Sequence, residues 1–125
     1  MRALLIDDNP YSLERDMREL MGWEVTVAED GREAVGIGPR LKDFDLILLD
    51  HRMPFFYGDE VLVEWQREGI DACLLPIFRI SSLREGKYPR QVPWVGKALG
   101  CSKLRLLQQW AEGGLEDEEL LRKLR

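Results

Sequence analysis

Short apolar runs, each stopped by a polar residue, set the rhythm of this chain. Ala3-Leu4-Leu5-Ile6 ends at Asp7-Asp8, Leu46-Ile47-Leu48-Leu49 ends at Asp50, and Cys73 to Ile80 ends at Ser81-Ser82. Runs that are apolar throughout, rather than alternating, predict strands covered on both faces, as in a parallel sheet. Trp23 to Val27 and Val92 to Val95 are weaker strand candidates. Helical patterns fill the gaps. Tyr11 to Met21 sets Leu13, Met17, Leu20 and Met21 on one face, with Pro10 at the entry and Gly22 past the end. Asp30 with Glu33 has the spacing of a capping box, opening a helix that Gly36, Gly38 and Pro39 keep short. Asp59 is placed to cap a third helix, with Val61, Leu62 and Trp65 as its buried stripe. Ser102 is placed to cap another, turning Leu104 and Leu107 inward, and Gly113-Gly114 ends it.

Strand and helix thus alternate about five times, the pattern of a doubly wound parallel α/β sheet with right-handed crossovers. One crossover is short. Once the fifth strand takes Val92 to Val95, only about Ser82 to Gln91 remains between strands four and five. That is near the minimum of ~10–12 residues for such a connection with its helix. Gly86 and Pro89 also disfavour a helix interior. The fourth crossover helix is therefore expected to be a single turn or missing, with one side of the fourth strand partly uncovered. Arg79, a charge in an apolar run, makes sense if it reaches that opening. The expected boundaries are one domain over 1–114 and a charged amphipathic helical tail over 115–125, which places acids first and bases last.

Composition narrows the classes. With 125 residues, 45% hydrophobic and 33% charged, the chain suits one packed core. Its net charge of −5 disfavours nucleic acid as a partner. No apolar run approaches the ~20 residues that span a bilayer, and acidic residues interrupt the N-terminus before a signal core forms. A cytoplasmic protein with no membrane partner is expected. Cys73 and Cys101 lack metal-ligand spacing and read as free thiols.

The chemistry lies at the strand ends, where ligands of open α/β sheets bind. Asp7, Asp8, Asp50, Ser81 and Lys97 are expected to converge on one rim. Clustered carboxylates repel one another and favour a hard cation; Mg2+ fits, keeping waters and leaving room for phosphate oxygens. A carboxylate beside such an ion can attack phosphorus. Lys97, the Ser81 hydroxyl and the cation would then stabilise the phosphoryl oxygens.

Leu-Leu-Ile-Asp-Asp-Asn, then Leu-Ile-Leu-Leu-Asp-His-Arg-Met-Pro with Gly58 after it, then Pro-Ile-Phe-Arg-Ile-Ser and Val-Gly-Lys, resemble the CheY-like family of response-regulator receivers over residues 3 to about 112. The resemblance implies a flavodoxin-like five-stranded parallel sheet of order 2-1-3-4-5. It implies a phosphoacceptor at Asp50. Asp8 would be a direct Mg2+ ligand, with Asp7 and the backbone carbonyl of Arg52 also at the metal. Ser81 and Lys97 would contact the phosphoryl group, and Ser81 and Trp94 would act as switch residues. The implied function is two-component signalling rather than enzymatic turnover. Its partners would be a sensor histidine kinase or phosphotransfer protein and a downstream protein target. Arg52 and Leu83 fall at positions that flank the path of attacking water, which implies slow self-dephosphorylation. The chain departs from the family at Ala98, where a proline usually follows the lysine, and in Phe55-Phe56-Tyr57, a loop usually small or polar.

Other readings fare less well. A haloacid-dehalogenase-like phosphatase needs an aspartate two residues after its nucleophile, where this chain has Arg52. A nucleotide-binding module lacks its Gly-rich loop after the first strand. A receiver-fold interaction module working without phosphorylation is the principal alternative, favoured by Ala98 and the short crossover. His51, a lone histidine, reads as structural.

Overall fold

A computed structural model describes residues 1–125. Four parallel strands form its sheet: β1 (Arg2–Ile6), β2 (Glu24–Ala28), β3 (Leu46–Leu49) and β4 (Ile77–Arg79), in the order β2-β1-β3-β4. β1 is central, with Ala3 opposite both Val25 and Leu46, and Ile47 pairs with Ile77 at the other side. Five helices surround it: α1 (Tyr11–Glu19), α2 (Gly31–Gly36), α3 (Gly58–Arg67), α4 (Cys101–Ala111) and α5 (Asp117–Leu124).

The period-2 geometry of a strand divides each apolar run between two cores. Ala3, Leu5, Leu46, Leu48 and Phe78 face α1, α4 and α5, where Met17, Leu104, Leu107, Leu120 and Leu124 meet them. Leu4, Ile6, Ile47, Leu49 and Ile77 face α2 and α3, against Ala34, Val61, Leu62 and Trp65. Continuous apolar runs were thus the correct sign of a sheet buried on both sides. Residues 115–125 are docked rather than loose, since Leu115, Leu120 and Leu124 are all buried in the first core.

The expected fifth strand is reduced to one bridge. Trp94 pairs with Arg79, through hydrogen bonds from Arg79 N to Pro93 O and from Val95 N to Arg79 O, both 2.8 Å. Pro93 has no N–H to extend the ladder, so the sheet stops at four strands and a bridge instead of five. The apolar run from Cys73 is likewise not all strand. Asp71 accepts a hydrogen bond from Cys73 N (2.9 Å) and starts a 3-10 turn over Ala72–Leu74, and β4 begins only after Pro76. No helix forms between Ser81 and Gly100, so the fourth crossover helix is missing.

Helix ends differ in detail. Asp30 accepts from Glu33 N (2.8 Å), as its spacing predicts. Asp59 and Ser102 are not caps: α3 follows Tyr57, whose N–H is bound by Glu60 (2.8 Å), and α4 follows Gly100. Leu20, assigned to the inner face of α1, is exposed because that helix ends at Glu19 and turns at Gly22, φ 69°.

Candidate functional site

The C-terminal ends of β1, β3 and β4 stand side by side, and each is followed by a buried polar residue, Asp7, Asp50 or Ser81. The backbone keeps the sheet's pattern one residue beyond the strands, with Asp7 N bonded to Ala28 O (3.0 Å) and Asp50 N to Ile6 O (2.8 Å). Asp7 and Asp50 are therefore fixed in depth: Asp7 is fully buried and Asp50 nearly so. Asp8, the next residue, is exposed. Carboxylate oxygens of the three lie within 4.8 Å of one another.

Lys97 completes the cluster. Its ammonium donates to Asp7 Oδ1 and Asp50 Oδ2, each at 3.0 Å. The loop brings it there with Ala98 in the place of a proline. The ammonium also lies 3.0 Å from Asp7 Oδ2, but without hydrogen-bonding geometry, so that buried oxygen has no partner. Asn9 N donates to Asp7 Oδ1 (3.0 Å), and His51 N donates to Asp50 Oδ1 (2.8 Å). Burial pushes the Asp7 carboxyl above its usual range, and the charge of Asp50 adds to this; the Asn9 and Lys97 donors oppose it without cancelling it. Burial works against the Lys97 charge, but hydrogen bonds to Asp7 and Asp50 outweigh it and hold the ammonium above its ordinary value.

Three carboxylates face one ammonium, leaving an excess of negative charge. A buried carboxylate oxygen without a partner is costly. Both features fit a divalent cation among Asp7, Asp8 and Asp50. The backbone carbonyl of Arg52, another expected ligand, accepts no hydrogen bond within the protein.

Ser81, two residues beyond β4, is buried, its hydroxyl donating to Leu83 O (2.6 Å). Trp94 lies behind it, half-buried, with Nε1 donating to Ser81 O (2.9 Å). The two expected switch residues are thus hydrogen-bonded to each other. Arg52 reaches outward and forms a two-pronged pair with Glu85 (2.7 and 3.0 Å). Of the adjacent aromatic loop, Phe55 and Tyr57 are exposed, Phe55 with φ 73° and its ring under the Arg32 guanidinium at 4.1 Å.

His51 has a partner, contrary to the reading as a lone residue. Its Nδ1 is hydrogen-bonded to the Tyr88 hydroxyl, whose ring lies 4.4 Å beneath the Arg79 guanidinium. Arg79 also donates to Val92 O (2.9 Å), so it does reach the open side of β4. Tyr88 and Glu85 escaped the sequence reading. Both lie in an irregular crossover, where no periodicity tells which side chain turns inward.

A parallel α/β sheet carries two acids after its first strand, one after its third, a hydroxyl after its fourth and a lysine joining two of the acids. The chain has the fold and the strand-end residues of CheY-like receiver domains. No protein-family profile matches it, but individual proteins do. A response regulator receiver protein of Anaeromyxobacter sp. (strain Fw109-5) is 38% identical over 69 residues, covering 53% of this chain and 28% of that protein. The receiver thus matches little more than a quarter of that relative's length. The receiver domain of the Francisella response regulator 1452 superposes with a TM-score of 0.67 at 20% identity, covering 91% of this chain and 98% of that one. The receiver domain of a Pseudomonas aeruginosa PAO1 sensor histidine kinase, which holds a magnesium ion in its active-site cleft, gives 0.67 at 26% identity, covering 89% and 97%. In this receiver, no helix is long and apolar enough to cross a membrane.

Proposed function

We propose that this receiver accepts a phosphoryl group on Asp50 in a Mg2+-dependent reaction and signals by rearranging Ser81 and Trp94. The observation that carries the reading is the Lys97 ammonium shared between Asp7 and Asp50 at 3.0 Å. Asp7, Asp8, Asp50 and the Arg52 carbonyl would hold the cation. When bound, Mg2+ supplies positive charge to the oxygens of the transferring phosphoryl group.

The chain's own residues do the rest. Asp50 is oriented by the His51 N–H on one oxygen and Lys97 on the other, and each oxygen retains a further lone pair. One of them attacks phosphorus as the donor's P–N or P–O bond breaks, and the electron pair of that bond leaves with the donor. Lys97 then turns from a carboxylate that has lost its charge toward the new phosphoryl oxygens. The Ser81 hydroxyl, released from Leu83 O, supplies another donor to them, and Trp94 follows through its bond to Ser81 O. A sensor histidine kinase or a phosphotransfer protein would be the donor, with a downstream protein reading the change. The receiver would act as a stoichiometric acceptor, not as a turnover enzyme.

Mass spectrometry tests this after incubation with acetyl phosphate and Mg2+. A single phosphoryl adduct is expected on the wild type, absent from Asp50→Asn and from metal-free samples. An equal adduct on Asp50→Asn would overturn the assignment. No adduct on either protein would favour a receiver that works through contacts alone.

A further inference from the structure

The missing crossover helix leaves a cavity of about 560 Å3 between the 79–95 segment and the end of α5. Pro93, Val95 and Leu121 supply part of its lining, while Arg79, Arg84 and Arg90 also line it and no Asp or Glu side chain does. In a chain of net charge −5 this is a local reversal of sign. None of these three arginines has a carboxylate within ion-pair distance; the protein's ion pairs all lie elsewhere. Two of them lie over aromatic rings, Arg79 4.4 Å above Tyr88 and Arg84 5.9 Å from Trp94.

Arg79 is the informative residue. It is half-buried, and the one hydrogen bond of its side chain, from Nε to Val92 O, leaves the terminal donors of the guanidinium unused. Burial and the nearby Arg84 charge both lower its affinity for a proton. A cation desolvated without a counter-charge is expensive, and an anion beside it relieves that cost.

We propose that this cavity binds a small phosphate-bearing molecule, with its phosphate oxygens on Arg79, Arg84 and Arg90 and any organic body over Pro93, Trp94 and Leu121. Guanidinium forks match phosphate oxygens two at a time. The volume falls in the ~300–1,000 Å3 range of small-molecule sites. A concave site enclosed by a loop and a helix suits such a ligand better than an extended acidic peptide. The negative charge of the chain as a whole argues against nucleic acid. A nucleotide and an inorganic polyphosphate share the chemistry, and the ligand arms below separate them.

Calorimetric titrations with ADP and with pyrophosphate, in EDTA, test the site. Without divalent cations the acidic rim at Asp50 repels phosphates, so binding reads the arginine cavity. Saturable binding is expected at sub-millimolar to millimolar ligand, weakened at least about tenfold in Arg84→Ala/Arg90→Ala and unchanged in Asp50→Asn. Both arginines are exposed, so this variant should fold, and its thermal melt checks that. Tighter binding of ADP assigns a nucleotide, and equal binding assigns the phosphates alone. Absence of binding by both probes, binding indifferent to the two arginines, or saturable binding of hexaglutamate in their place would overturn the proposal.

Discussion

Replacing Tyr88 by Phe tests the idea that a side-chain latch substitutes for the missing helix. The change removes a single oxygen. The ring stays, and with it the contact beneath Arg79. The loss is the hydrogen bond to His51 Nδ1, on a residue only 6% exposed whose backbone N–H orients Asp50. Burial pushes the Tyr88 phenol upward, with the charge of Asp59 adding to it, so it keeps its proton and remains available as a donor at neutral pH.

A buried polar atom deprived of its partner costs about 1–3 kcal/mol. Tyr88 is only half-buried and water can partly replace its hydroxyl, so about 1 kcal/mol is expected. For a domain of this size that corresponds to a melting temperature roughly 3–5 °C lower. Tyr11→Phe, on a residue 68% exposed, provides the control and should change nothing. Denaturant titration and thermal melting read stability, and the rate of adduct formation with acetyl phosphate reads the effect on Asp50. A Tyr88→Phe melt within 1 °C of wild type, a tolerance of about 0.3 kcal/mol, would refute the latch.

Three further outcomes follow from the geometry. Mg2+ should raise the thermal stability of the wild type, by about 1.4 kcal/mol at tenfold excess over Kd; Asp8→Ala, exposed and so harmless to folding, should abolish most of this in a melt with and without the ion. Arg52→Ala/Leu83→Ala should leave stability near wild type, since both side chains are exposed, yet lose phosphate several-fold faster in a timed dephosphorylation assay; an unchanged rate would exclude the pair as a shield against water. Leu120→Ala removes a side chain 1% exposed on α5, and should cost about 2–3 kcal/mol in a single cooperative denaturant transition; a cost below about 1 kcal/mol would show residues 115–125 to be a loosely attached tail.

What was legible in the sequence was whatever a repeated physical pattern wrote there. A strand buried on both faces must be apolar at every position, so β1 and β3 could be read together with the acids that stop them. Asp7, Asp8, Asp50, Ser81 and Lys97 could then be assigned to one rim, because a parallel sheet brings its strand ends together. The same rule misled at Cys73 to Leu75, where an apolar run precedes Pro76 and the Asp71 carboxylate draws the backbone into a turn. The fifth strand failed for a similar reason: Val92 to Val95 has strand-forming residues, but the proline inside it withholds the donor a ladder needs.

The crossover from Ser82 to Gln91 marks the other limit. Its length and its Gly86 and Pro89 predicted the loss of a helix, but not what would replace one. Gly86 adopts φ 89°, and a Cβ there would fall 2.5 Å from His51 Cε1 and 2.6 Å from the Tyr88 ring. The glycine therefore matters less as a helix breaker than as a gap that lets the chain lie against the imidazole and brings Tyr88 to it. Such a role depends on contacts between residues far apart in sequence, Tyr88 with His51 and Glu85 with Arg52, and no local period encodes them. Each of these contacts ends on one of the two residues that follow Asp50. The segment that replaced the helix is thus tied to the residues beside Asp50. Its Arg79 side is left open, and the cavity lies there.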